Sequence, residues 1–398
     1  MSENARPRRL GGTGIRGALL LSIYYDNSAT TRTREEAAQI ICRMLTEEYG
    51  NPSSLHRLGF SAQQKMEEAR KQLADTLGCT PGELTFTSGG TESDNLAILG
   101  AAAAHRRQGN RVVTTAIEHD AVLRAMDQLE QQGWEVIRLK PDSQGNITAQ
   151  QVADAVDDKT VLVSVMAVNN EVGSILPIPE ICKLVRRKNP KTLLHCDAVQ
   201  AFGKHPIRLK KNAFDVDMLT ISGHKIYGPK GIGALYLRRG VRLSPLLFGG
   251  GQEKNLRPGT ENIAYACALG CCAQLVCAEQ PHTTERVSAI RQALWEGLEK
   301  LPGVRINSDP NGTPYILNCS VEGVRSEIML HFMEEKGIYL SSGSACAKGE
   351  ASHVLTAMGL PRSQADSALR LSFGRENTPE QVPVFLQALE EAIARFRR

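Results

Sequence analysis

The chain has 398 residues, which at roughly 150 residues per domain means more than one domain and enough length to bury a substantial core, so a disulfide-stapled miniprotein is excluded. Apolar residues make up 41% and charged residues 23%. That balance excludes a disordered chain, and no apolar run approaches the roughly 20 residues of a membrane helix. The net charge of +4 sits in the two ends, in Arg6, Arg8, Arg9 and Arg16 and in Arg395, Arg397 and Arg398, so the body is slightly acidic and is not a nucleic-acid-binding surface.

Residues 1–22 are Arg- and Gly-rich, with a short apolar run from Ala18 to Leu21. That run is too short for a secretory core and lacks a small-residue cleavage site, so a disordered leader is expected. From Glu35 to Leu77 the apolar period is helical, broken by the turn Gly50-Asn51-Pro52. From residue 84 the texture alternates: LTFT, a helix over Glu92–Arg107, RVVTTAI, a helix over Ala121–Gln132, WEVIRL, a helix over Thr148–Val156, and TVLVSVMAV. The helical IPEICKLVRRKN follows, then LLHCDAV, DMLTIS and GALYLR. Short β-branched runs separated by amphipathic helices specify an α/β domain with a mainly parallel sheet covered on both faces, over residues 23–261. After about residue 262 come a long helical stretch, VRINS, ILNCSV, the helix SEIMLHFMEEKG, ALRLSFG and a closing helix over Pro379–Phe396. This predicts a smaller α+β domain over residues 262–398.

The ten cysteines, at 42, 79, 182, 196, 267, 271, 272, 277, 319 and 346, show no secreted framework and lie mostly in apolar stretches. They read as reduced thiols of a cytoplasmic protein. Cys267, Cys271, Cys272 and Cys277 fall within AYACALGCCAQLVCAEQ, which lacks a paired C-x-x-C knuckle, so buried structural cysteine is favoured over a metal site.

Ligands of open α/β sheets sit at the carboxyl ends of strands, and five polar clusters follow strands here: SGGTESDN, EHDAV, NNEVG, DAVQ and SGHKIYGPKG. The two glycines before Thr91 can expose backbone N–H groups at a helix start to a phosphate, although a capped turn has the same look. Lys225, between Gly223 and Gly228, is either a framed surface lysine or one that forms a Schiff base with a carbonyl cofactor. Asp197 can cap the next turn or pair with a pyridinium nitrogen. His119 can stack on a ring, shuttle protons or serve structure alone. Their coincidence at the strand ends of one sheet favours the functional readings. Cys346 differs from the other cysteines, since SSGSACAKG is Gly/Ser-rich and reads as a mobile loop.

In order, SGGTESDN, EHDAV, VNNEVG, HCDAVQ, SGHKIYGPKG, GGGQEKNLRPGTEN, SSGSACAKG and ALRLSFGRENT resemble the NifS/IscS-like cysteine desulfurases, pyridoxal-phosphate enzymes of the class V aminotransferase group. The resemblance runs from about Tyr25 to the C-terminus. It implies the fold type I of pyridoxal-phosphate transferases, a large domain with a seven-stranded sheet and a smaller C-terminal domain. It also implies that Lys225 holds the cofactor and moves the substrate α-proton, with Asp197 on the pyridine nitrogen, Gln200 on the phenolic oxygen and His119 stacked on the ring. Thr91, Ser222, His224 and the backbone around Gly90 would bind the phosphate, and Thr260 would reach the phosphate of the neighbouring subunit in a homodimer. Asn169 and Arg370 would hold the carboxylate of L-cysteine, and Cys346 would take its sulfur as a persulfide for an acceptor protein serving iron–sulfur clusters or tRNA thiolation. Rival readings are an aminotransferase of the same fold, a selenocysteine lyase and a noncatalytic sulfur-hub or RNA-associated protein. Two departures stand out. Asp94 in GGTESDN, where members commonly have ATESNN, adds an expected negative charge near the site. The ending ArgPheArgArg also lacks the longer tail that grips an iron–sulfur scaffold, which argues against that scaffold as the main acceptor.

Overall fold

The computed structural model describes residues 22–209, 213–342 and 352–397. The leader to residue 21 and Cys346 lie outside the described residues. The chain begins with β1 (Ile23–Tyr24), α1 (Glu35–Thr46) and α2 (Arg57–Leu77). His56 caps the start of α2 by accepting from the Gly59 N–H, and Gly78, at φ 74°, ends it in the left-handed conformation that glycine adopts without strain.

The alternating region forms β2 (Leu84–Thr87), α3 (Gly90–His105), β3 (Arg111–Thr115), α4 (Asp120–Gln131), β4 (Glu135–Leu139), α5 (Ala149–Asp154) and β5 (Thr160–Ser164). It continues with α6 (Ile178–Lys188), β6 (Leu193–Asp197), β7 (Met218–Ser222) and β8 (Gly233–Leu237). These strands make a seven-stranded sheet in the order β2-β8-β7-β6-β5-β3-β4. β7, β6, β5, β3 and β4 are parallel, and β8 runs antiparallel to both of its neighbours. Successive residues feed opposite faces. Val112, Leu193 and Met218 pack with α3 and α4, whereas Val113, Leu194 and Leu219 pack toward α2 and α6. β2 and β7 are buried on both faces although LTFT and MLTIS intersperse threonines with their apolar residues.

The rest of the chain forms α7 (Ile263–Glu299), β9 (Val304–Ile306), β10 (Ile316–Val321), α8 (Ser326–Glu335), β11 (Ile338–Tyr339), α9 (His353–Ala357), α10 (Arg362–Ala365), β12 (Ala368–Ser372) and α11 (Gln381–Phe396). β12, β10 and β9 make an antiparallel sheet.

Two segments do not follow the expected division at 261. β1 pairs in parallel with β11, and Tyr25 sits edge-on to Phe373 and Phe385 at ring-centroid distances of 5.2 and 5.9 Å, so residues 23–25 pack in the smaller core. α7 belongs to both cores, with Ala264–Val276 on the large side and Val287–Leu298 on the small side. By length and composition it could cross a bilayer, with an 18-residue window of mean hydropathy 1.3, but half of that window is buried in the protein and α1 and α2 pack against the helix. The nine cysteines among the described residues are unpaired, and no group of three or more His, Cys, Asp or Glu side chains among those residues has a metal-binding arrangement.

Candidate active site

The carboxyl ends of β6 and β7 meet the start of α3, the segment Asp26–Thr31 and Arg370 of β12. Lys225 closes the 3-10 turn Gly223–Lys225 directly after β7. Its Nζ donates to the backbone carbonyls of Ser28 and Ala29, the latter at 2.8 Å. Burial, assisted by the Arg370 guanidinium and opposed by Asp26 and Asp197, pushes its pKa down to about 8. A neutral, nucleophilic amine is therefore within reach near neutral pH.

Asp197, the last residue of β6, is buried and accepts from the Val199 N–H at 2.9 Å. Burial raises its pKa, while that N–H, His119 and Lys225 pull it back. His119 caps α4, its Nδ1 accepting from the Ala121 N–H at 3.1 Å. That bond places the hydrogen of the neutral ring on Nε2. Gln200 donates through Nε2 to Ser28 O at 2.9 Å, the same oxygen that receives Lys225.

The turn into α3 is built for close approach. A Cβ on Gly89 would have Ser222 Oγ, at 4.0 Å, as its nearest neighbour, so glycine keeps open the space between the two strand ends. Thr91 stands exposed in the first helical turn. His224 Nδ1 lies 3.3 Å from Thr30 Oγ1, and burial pushes its pKa down to about 4, leaving the ring neutral. A long helix start, two glycines, a serine and a neutral imidazole make an anion cradle.

Arg370 is buried. Its two terminal nitrogens donate to Asn170 O at 3.0 Å and Asp26 Oδ1 at 2.9 Å, while Nε has no hydrogen-bond partner among the described residues. Asn169 is committed differently. Its Oδ1 accepts from the N–H groups of Glu171 and Val172, both at 2.9 Å, and its Nδ2 donates to Ile117 O at 2.8 Å. Its Nδ2 also donates to Met166 Sδ at 3.5 Å, so the whole amide is spent on shaping the loop beneath Arg370. Thr260 stands apart, lining a separate cleft of about 180 Å³ with Ser88, Arg257 and Glu253.

Asp94 bears on the expected negative charge near the site. It is fully buried on α3, 3.6 Å from His195 Nε2, and burial together with Asp197 raises its pKa well above the usual carboxylate range. That shift favours the protonated carboxyl. Sequence reasoning missed Glu118, whose pKa burial pushes up to about 8, and Lys204, a buried lysine bonded to Gln200. Lys204 had a readable signal, standing four residues after Gln200 in DAVQAFGK.

A family model described as aminotransferase class-V matches residues 23–385. The cysteine desulfurase IscS of Methanosarcina thermophila is 43% identical over 379 residues, covering 94% of this chain and 93% of the relative. The chain belongs to the NifS/IscS-like cysteine desulfurases of the class-V aminotransferases. Among solved structures, a NifS-like protein superposes with a TM-score of 0.89 at 37% identity, covering 94% of this chain and all of that one. The structure of SspA in complex with cysteine gives a TM-score of 0.78 at 35% identity over 88% of this chain and 99% of that one. The family works with pyridoxal phosphate, and the desulfurase site above fits that group. It offers an amine of lowered pKa, a buried carboxylate at a strand end and an open glycine cradle at a helix start. Arg370 Nε, without a hydrogen-bond partner among the described residues, is a further donor.

Proposed function

We propose that this chain converts L-cysteine to L-alanine and transfers the sulfur through a persulfide on Cys346 to an acceptor protein. The supporting observation is the pairing of Ser341 with Arg370, the residue suited to a substrate carboxylate. Arg370 N donates to Ser341 O at 2.7 Å, five residues before Cys346. On the far side of that segment Ser352 donates to the carboxylate of Glu171, next to the Asn170 carbonyl that Arg370 grips.

Pyridoxal phosphate, held by Lys225, Asp197, Gln200, Gly90, Thr91, Ser222 and His224, supplies an electron sink for the substrate's α-carbon. With that group bound, Asp197 would keep its pyridine nitrogen protonated and His119 would stack on its ring. Arg370 orients the carboxylate through its planar guanidinium, with Asn169 shaping the loop beside it. Lys225 Nζ takes and returns the α-proton, a role its lowered pKa permits. The Cys346 thiolate then attacks the substrate sulfur. The S–S bond forms as the C–S bond breaks, and the electron pair stays with the carbon skeleton, which is protonated and leaves as alanine. Thiol exchange passes the outer sulfur onward, to iron–sulfur cluster assembly or tRNA thiolation.

The active unit is a homodimer in which Thr260 completes the partner's phosphate site. The exposed Leu55, Phe60, Leu247 and Phe248 support this, because large apolar side chains left in water mark an interface. The unpaired cysteines suit a cytoplasmic setting. The deciding experiment is Cys346→Ala. Sulfide release from L-cysteine is expected to vanish while the protein stays yellow with bound cofactor, and persistent release would sink the mechanism. Comparing L-selenocysteine with L-cysteine then separates the desulfurase from a selenocysteine lyase.

A further inference from the structure

Lys204 is 6% exposed and forms no ion pair among the described residues. Its Nζ donates to Gln200 Oε1 at 2.8 Å and stands 5.9 Å from the Tyr315 ring centroid. It shares with Lys225 the wall of a cavity of about 10 Å³, room for one water molecule. A lysine buried without a carboxylate destabilises a fold, so its placement calls for another account.

The account lies in the Gln200 carboxamide, whose two ends look alike in shape and differ in hydrogen bonding. As an ammonium, its form below the pKa of about 7 to which burial lowers it, Lys204 offers only hydrogens on one side, and the Ser28 carbonyl offers only lone pairs on the other. A flipped amide would set N–H against ammonium and oxygen against oxygen, losing both bonds. Nε2 is thereby held at Ser28 O, the oxygen that also seats Lys225 Nζ, with its second hydrogen unspent among the described residues.

We propose that Lys204 is a positioning residue that locks Gln200 with its N–H donor beside Lys225, so that the site selects the phenolate form of an ortho-hydroxy aromatic aldehyde over the neutral phenol. This rests on the reading that Lys225 holds pyridoxal phosphate. Lys204 touches neither cofactor nor substrate; it acts through Gln200 alone.

The test measures equilibrium uptake of pyridoxal phosphate by absorbance, alongside thermal unfolding of the cofactor-free protein. Lys204→Met is expected to weaken uptake about tenfold while the cofactor-free protein unfolds at the same temperature or higher, because a costly buried amine has been removed. Lys204→Arg, which also offers only hydrogens to Gln200 Oε1, is expected to stay within about threefold of the wild type. In a Gln200→Ala background Lys204→Met is expected to add no further loss. With 3-deoxypyridoxal phosphate, which lacks the phenolic oxygen, wild type and Lys204→Met are expected to bind alike. Equal uptake of pyridoxal phosphate by wild type and Lys204→Met, additive losses with Gln200→Ala, or a loss matched by a fall in unfolding temperature would each overturn the proposal. Failure of the wild type to take up the cofactor through Lys225 would overturn the underlying reading, and this one with it.

Discussion

Arg370 and Asp26 meet at 2.9 Å beside Lys225, and the two charges pull its amine in opposite directions. The guanidinium disfavours the ammonium, the carboxylate favours it, and burial exceeds both. Arg370→Gln removes the cation and leaves the carboxylate. The pH midpoint for capture of an aldehyde by Lys225, near 8 in the wild type, is expected to move upward. Uptake rates of pyridoxal phosphate across pH 6–10 read this directly, and an unchanged or lower midpoint contradicts it.

Glu118 gives a pH dependence of stability with a definite sign. Its Oε1 accepts from Thr115 Oγ1 at 2.7 Å and Met166 N at 3.0 Å, while Oε2 has no partner among the described residues. Burial pushes its pKa from 4.5 up to about 8. Between those values the unfolded chain has released a proton that the fold retains, so stability falls as pH rises through that window. Full ionisation of such a group costs on the order of 5 kcal/mol. Glu118→Gln is expected to flatten this decline and to stabilise the cofactor-free protein at pH 8, as thermal unfolding from pH 5 to 8 would show.

Gly90 carries the anion cradle. A Cβ there would lie 2.9 Å from Val199 Cγ2, a stiff branched side chain just past Asp197. Gly90→Ala must shift the turn, at a cost of about 1–3 kcal/mol. Binding of pyridoxal phosphate is expected to weaken roughly tenfold or more, while binding of pyridoxal, which lacks the phosphate, changes less. Equal effects on the two ligands would remove the cradle from the phosphate role.

Arg70 and Glu253 form a largely buried two-pronged ion pair, at 2.9 and 2.6 Å, and Glu253 also accepts from Phe86 N. Glu253 holds a left-handed backbone, φ 45° and ψ 43°, that these bonds secure. Arg70→Met strands the carboxylate and is expected to lower unfolding free energy by about 3 kcal/mol in a denaturant titration. Adding Glu253→Gln should recover part of the loss, because the stranded charge goes with it.

The strand-end chemistry was legible because each polar cluster interrupts an apolar run. Lys225 after DMLTIS and Asp197 after LLHC need only the β-α alternation to be placed together. The small domain's strands were legible on the same grounds. β1 was not, since two residues show no period and its partner β11 lies more than 300 residues away. Ser28 was invisible because it acts through a backbone carbonyl, and a carbonyl has no residue type. The burial of Asp94 was not legible, because it and the upward shift in its pKa follow from neighbours that spacing alone does not supply.

The helix α7 runs from one core into the other, with Pro281 in the stretch between them. Proline withholds one N–H from the helical ladder and makes that point the softest along the rod. Lys225 is mounted on the sheet at one end of this lever and Arg370 on the sheet at the other. The helix thus joins the core beneath the amine to the core beneath the guanidinium while supplying neither group, so the two halves of the site rest on one continuous rod.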